Sequence, residues 1–167
     1  MSNPNGLIEV LNAAPADRTA VLLPEAGIRV TYKDLREQVM TMADTLAAFG
    51  IRRGDRVATV LPSGLPAIVS FLAASVAGTA APLNPGYRED EFSFYLEDTG
   101  AKILLCPPDG AEEARRAAQG KVPIYSLRMD EHGFVRIEDV VGNHSSAMAP
   151  SPATSKLPEE RPASRIR

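Results

Sequence analysis

The sequence holds a single cysteine in 167 residues, which excludes an intramolecular disulfide framework and a multi-cysteine zinc site. Two histidines leave little for histidine-based metal chemistry. Tryptophan is absent and aromatics reach only 5%, so the core has to be aliphatic. Positive charge is short as well. Eighteen Lys and Arg against 21 Asp and Glu give a net charge of -3, without the basic field of a dedicated nucleic-acid binder. The nucleotide-phosphate signatures are missing: there is no G-x-x-x-x-G-K-[ST], and no G-x-G-x-x-G after a strand-like run. A membrane span is excluded too. Val57 to Tyr87 carries no charge, but Pro62, Ser63, Gly64 and Pro66 break it early, and Gly78, Pro82 and Pro85 break it late. The remaining Ala67 to Ala77 falls short of the roughly 20 apolar residues that a spanning helix needs. Met1 to Ala14 show neither a basic n-region nor a long apolar run, so a cytoplasmic location is the expectation, with a peroxisomal one open to the whole protein.

What is present suits a soluble globular chain: 44% hydrophobic and 23% charged residues. The first thirty residues read as an arm with a short hairpin, Thr19 to Leu23 and Ile28 to Thr31 around a Pro24–Gly27 turn. Thr31 and Asp34 make a short capping box for a helix. Leu35, Val39, Met42 and Leu46 give that helix one apolar face, and Gly50 ends it. From Asp55 strands and helices alternate. Strands are expected at Arg56 to Leu61, Thr79 to Leu83, Ala101 to Cys106 and Val122 to Leu127. Between the first two lies a helix from Leu65 to Ala77, capped by Ser63, ended by Gly78 and apolar nearly all round, hence expected to be the most buried helix. A polar helix from Glu89 to Asp98 ends at Gly100. Another, capped by Asp109 with Glu112, runs to Gln119. Short connections between such elements call for a parallel sheet. The expected fold is α/β: a partial doubly wound parallel sheet with flanking helices over residues 1–141. The Pro- and Ser-rich segment Gly142 to Arg167 cannot bury enough surface to offset its ordering entropy and is expected to be a disordered tail.

Few residues offer chemistry. Gly50-Ile51-Arg52-Arg53-Gly54-Asp55 pairs glycines with cations, but it follows a helix and precedes a strand, so it reads as a tight turn rather than an anion site. Cys106 ends a strand without a base or cation beside it in sequence, and reads as a core cysteine. His132 sits in the turn-like Asp130-Glu131-His132-Gly133. Asn143-His144-Ser145 matches a glycosylation sequon, which has meaning only in a secreted protein. Glu89, Asp90 and Glu91 occupy a first helical turn, where the helix dipole favours acids. No catalytic, cofactor-binding or metal-ligating residue is assigned.

The segments taken together do resemble a family. Val30-Thr31-Tyr32-Lys33-Asp34-Leu35 resembles the opening motif of the adenylate-forming acyl-CoA synthetases, the AMP-binding superfamily. Gly50 to Val57 is similar to the next recurring segment, and Leu61-Pro62-Ser63-Gly64-Leu65-Pro66 follows in place, with Ser63 where members often have Asn. Ala77 to Pro85 resembles the second core motif. Tyr87 to Leu104 is most similar to the oxalyl-CoA synthetase and 4-coumarate-type branch. The resemblance covers about Leu22 to Pro107. It implies the amino-terminal part of an enzyme that uses Mg-ATP to turn a small carboxylic acid into an acyl-adenylate and then passes the acyl group to CoA. The family's phosphate-gripping loop, its nucleotide motifs, its acyl pocket and its carboxyl-terminal domain have no counterpart in the chain; Thr154-Ser155-Lys156 lacks the glycines of that loop. The resemblance therefore carries over no site residue and no cofactor bound by this chain. Two readings stand: a portion of a ligase that is inactive alone and prone to self-association, or a free-standing interaction module that keeps the scaffold.

Overall fold

The computed structural model describes residues 6–139; the expected tail over 142–167, with its sequon and Lys156, lies outside them. Helix α1 (Leu7–Ala13) is followed by strands β1 (Thr19–Leu23) and β2 (Ile28–Thr31), which form an antiparallel hairpin over a 3-10 turn at Pro24–Ala26. Then come α2 (Tyr32–Ala48), β3 (Arg56–Thr59), α3 (Leu65–Ala77), β4 (Thr79–Pro82), α4 (Glu89–Thr99), β5 (Ile103–Cys106), α5 (Glu112–Ala118), β6 (Ile124–Met129) and β7 (Val135–Asp139). The main sheet has the order β4-β3-β5-β6-β7. The four strands expected from sequence pair in parallel, and β7 joins β6 antiparallel.

Alternation along the central strands divides the core in two, as burial on both faces of a parallel sheet requires. Val57, Ile103 and Leu105 face a cluster with Leu35, Val39 and Leu46 of α2 and Leu65, Val69 and Ala73 of α3. Ala58, Val60 and Leu104 face the other way, against Phe92 and Leu96 of α4 and Ala114, Ala117 and Ala118 of α5. The sheet is thus covered by helices on both sides, a partial doubly wound α/β architecture.

The start of α2 follows the capping box read from sequence. Thr31 Oγ1 accepts from the Asp34 N–H at 3.2 Å, and the Asp34 carboxylate accepts from the Thr31 N–H at 3.2 Å and from its hydroxyl at 2.6 Å. Those bonds, the Thr31 hydroxyl first, hold the Asp34 carboxyl below its ordinary value. A carboxyl depressed in the folded state adds stability above its unfolded pKa, and that stability is lost as pH falls through the folded value. Thr31→Ala is expected to cost about 1 kcal/mol near neutral pH in urea denaturation. The deficit should shrink once acid protonates Asp34; an equal deficit at both pH values would remove the box from the account.

Arginines tie down the ends of other helices. Arg36 donates to the carbonyls of Leu11 and Ala14 at 2.8 and 3.2 Å, closing α1. Arg56 donates to Thr99 and Gly100 at the end of α4, where Gly100 is left-handed with φ 57. Inside the core Gln38 works as a clasp between α2 and the β6–β7 turn. Its amide nitrogen donates to Gly133 O at 3.0 Å, and its oxygen accepts from Val135 N at 2.9 Å. No buried side-chain polar atom lacks a partner among the described residues.

Several expectations need correction. The amino-terminal arm contains α1, a seven-residue helix without a side-chain cap; its shortness hid it. Gly64, not Ser63, occupies the N-cap of α3, and no side chain caps it. α5 starts from Ala111 at φ 57, and Asp109 and Glu112 form no capping box. α5 closes at Ala118, one residue before the expected Gln119. All four expected strands of the sheet begin or end within two residues of the expected positions, the third starting at Ile103 rather than Ala101, and β7 was not expected at all. Finally, α3 is not buried all round. Leu65, Val69, Ser70, Ala73 and Ala74 are buried, whereas Ile68 and Phe71 are 39% and 45% exposed. Uniform apolarity says that a helix can be covered on every side; packing decides which side is.

Candidate functional site

The four parallel strands end on one rim of the sheet, the rim where open α/β sheets collect their ligands. There the chain leaves β3, crosses residues 60–64 and enters α3, while β4 ends at Pro82 and the chain continues through Leu83. A groove of about 490 Å3 opens between them. Its walls are Leu61, Ile68, Phe71, Leu72, Pro82 and Leu83, and its polar margin is supplied by Thr59 and Ser63. The volume falls within the range of small-molecule pockets, but no lining residue carries a charge. Such a groove can exclude water from an apolar surface. Its lining has no acid or base to activate the Thr59 and Ser63 hydroxyls.

At the same rim of the sheet, the loop after β5 is occupied by Arg115. Its guanidinium donates to the carbonyls of Pro107, Pro108 and Gly110 at 2.5, 3.3 and 3.0 Å, and to Ser126 Oγ at 3.2 Å. With its donors directed at the protein's own oxygens, Arg115 shapes the loop rather than receiving an anion. Cys106, at the end of β5, is completely buried, with its Sγ 3.7 Å from Tyr125 O. Burial pushes its thiol up, against the opposing pull of Arg115. A protonated buried thiol is a core residue, as the sequence suggested.

The Gly50–Asp55 turn lies on the opposite rim, at the amino ends of the strands. Asp55 accepts from Arg52 N at 2.9 Å through its carboxylate and from Thr79 N at 2.8 Å through its carbonyl. Gly50 and Gly54 both take φ 90. The turn links α2 to β3, holds the start of β4 through the Thr79 N–H and meets no helix N-terminus, as a tight turn does. His132 is solvated in the β6–β7 turn, 3.6 Å from the exposed Glu131 carboxylate. That turn is held by Asp130, whose carboxylate accepts from Phe134 N and His132 N at 2.8 and 3.0 Å. These bonds, Phe134 first, keep the Asp130 carboxyl low. Glu89, Asp90 and Glu91 do lie in the first turn of α4, where Glu89 pairs with Arg116 at 2.8 Å. No group of three or more His, Cys, Asp or Glu among the described residues could hold a metal ion. No described helix is long and apolar enough to cross a membrane.

Sequence reasoning gathered no site at this rim and missed the groove. Its signal was the uncharged run from Val57 to Tyr87, which contains every residue that lines it.

Comparison with known proteins places these features in context. Residues 8–165 match the family model described as AMP-binding enzyme. A probable CoA ligase, CCL9 of Humulus lupulus, is 41% identical over 114 residues, 68% of this chain and 22% of that protein. An oxalate–CoA ligase of Saccharomyces cerevisiae is 40% identical over 102 residues, 57% of this chain and 19% of that protein. Among solved structures, ATP-bound MatB from Rhodopseudomonas palustris superimposes with a TM-score of 0.64 at 28% identity, covering 72% of this chain and 25% of that one. The N-terminal domain of FACL13 from Mycobacterium tuberculosis gives 0.63 at 28% identity, covering 74% and 33%. The chain spans about a fifth of the length of the curated relatives it matches.

Proposed function

Because the chain belongs to the AMP-binding enzyme family, we propose that it supplies amino-terminal scaffold to an ATP-dependent acyl-CoA ligase, and that it does not activate a carboxylate by itself. In the whole protein the reaction joins a small carboxylic acid to CoA at the expense of ATP. Adenylation needs donors and cations fixed around the phosphates and charge to hold a magnesium ion. The described residues do not fit that group. The groove at the ligand-collecting rim is lined without a single charge, and this is the observation that carries the proposal. Lys33 stands in the first turn of α2, and Lys102 and Lys121 precede β5 and β6 at the amino-terminal rim. Arg115 is turned onto its own loop. No step of the chemistry is assigned to these side chains.

Carboxylate-dependent exchange of labelled pyrophosphate into ATP tests this. The 167-residue chain is expected to show no exchange above the protein-free blank with any acid of a panel that includes oxalate. It should also show no melting shift with saturating Mg-ATP, where a ligand at a hundred times its dissociation constant adds about 2.7 kcal/mol. Exchange, or a reproducible shift, would place nucleotide chemistry in this chain.

A second reading rests on a different observation. The described residues leave no buried polar side-chain atom orphaned, as a module that folds alone requires. A non-catalytic interaction module would melt cooperatively at low concentration and capture a defined partner, whereas a ligase portion is completed by further ligase sequence.

A further inference from the structure

We draw no further inference here: the strongest candidate, the exposed apolar face of α3 at Ile68 and Phe71 with the groove beside it, carries nothing because nothing in the structure shows what covers it.

Discussion

Gly78→Ala is expected to destabilise the chain by roughly 3 kcal/mol, at the upper end of what overpacking costs, and by more with any larger side chain. A Cβ at this position would lie 2.5 Å from the carbonyl oxygen of Asp55, 3.1 Å from that of Arg52 and 3.1 Å from Ile51 Cγ2. Two of those neighbours are backbone atoms of the turn that leads into β3, and the Asp55 carbonyl is already bonded to Thr79 N at 2.8 Å. Relief therefore means separating β4 from β3 at the point where their pairing begins. A left-handed φ is not the cause, since φ at Gly78 is -158. Gly54→Ala is the informative contrast. Nothing lies within 4 Å of the added carbon there, but φ is +90. Only local strain is incurred, about 1–2 kcal/mol. Urea denaturation of both variants separates crowding from strain. Equal losses would show that the end of α3 does not press on the turn as closely as described.

Val69→Asp should have a larger effect still. Val69 is fully buried, in the cluster that joins α3 to α2 and to β3. An aspartate there has no cation within the apolar cluster and either remains charged and unpaired or takes up a proton. A loss of roughly 4 kcal/mol is expected, a large fraction of the stability of a domain of this size. Phe71→Asp, two residues along the same helix, should cost well under about 1 kcal/mol, because its side chain already meets water. Melting of the two variants side by side checks the orientation of α3. If both unfold the protein, or neither does, the helix faces another way.

That contrast marks what could be read from the residues. The limits of α3, Leu65 and Ala77, follow from a proline in the first turn and a glycine after the last, and both were visible. So was the Thr31–Asp34 box, because local hydrogen-bond chemistry needs no knowledge of distant chain. The facing of α3 was not visible: Ile68, Val69 and Phe71 are equally apolar, and only the packing of α2 and β3 against one side separates them. β7 went unread for a different reason. Val135, Arg136, Ile137 and Glu138 alternate as a strand should, and Asp130–Gly133 was recognised as a turn, but five residues pairing antiparallel onto a parallel sheet give a weak signal alone. Gln38 carries no signal of its own in the sequence, because the burial of its amide depends on a turn 95 residues away. The groove was hidden similarly, since its walls come from β3, α3 and β4 at once.

The Gln38 clasp has a consequence in time. On the ribosome α2 emerges first, and the Val135 N–H that completes the amide's hydrogen bonding lies 97 residues later. At about 5–20 residues per second, that interval is roughly 5 to 20 s. Throughout it, the face of α2 that will be buried carries a polar group with no protein partner, and sealing the α2–α3 layer would strand that group. Completion of this layer is therefore tied to the synthesis of the β6–β7 turn. The shortest nascent chain able to close it extends past Val135, and arrest of translation before that residue leaves the layer open to water and to chaperones.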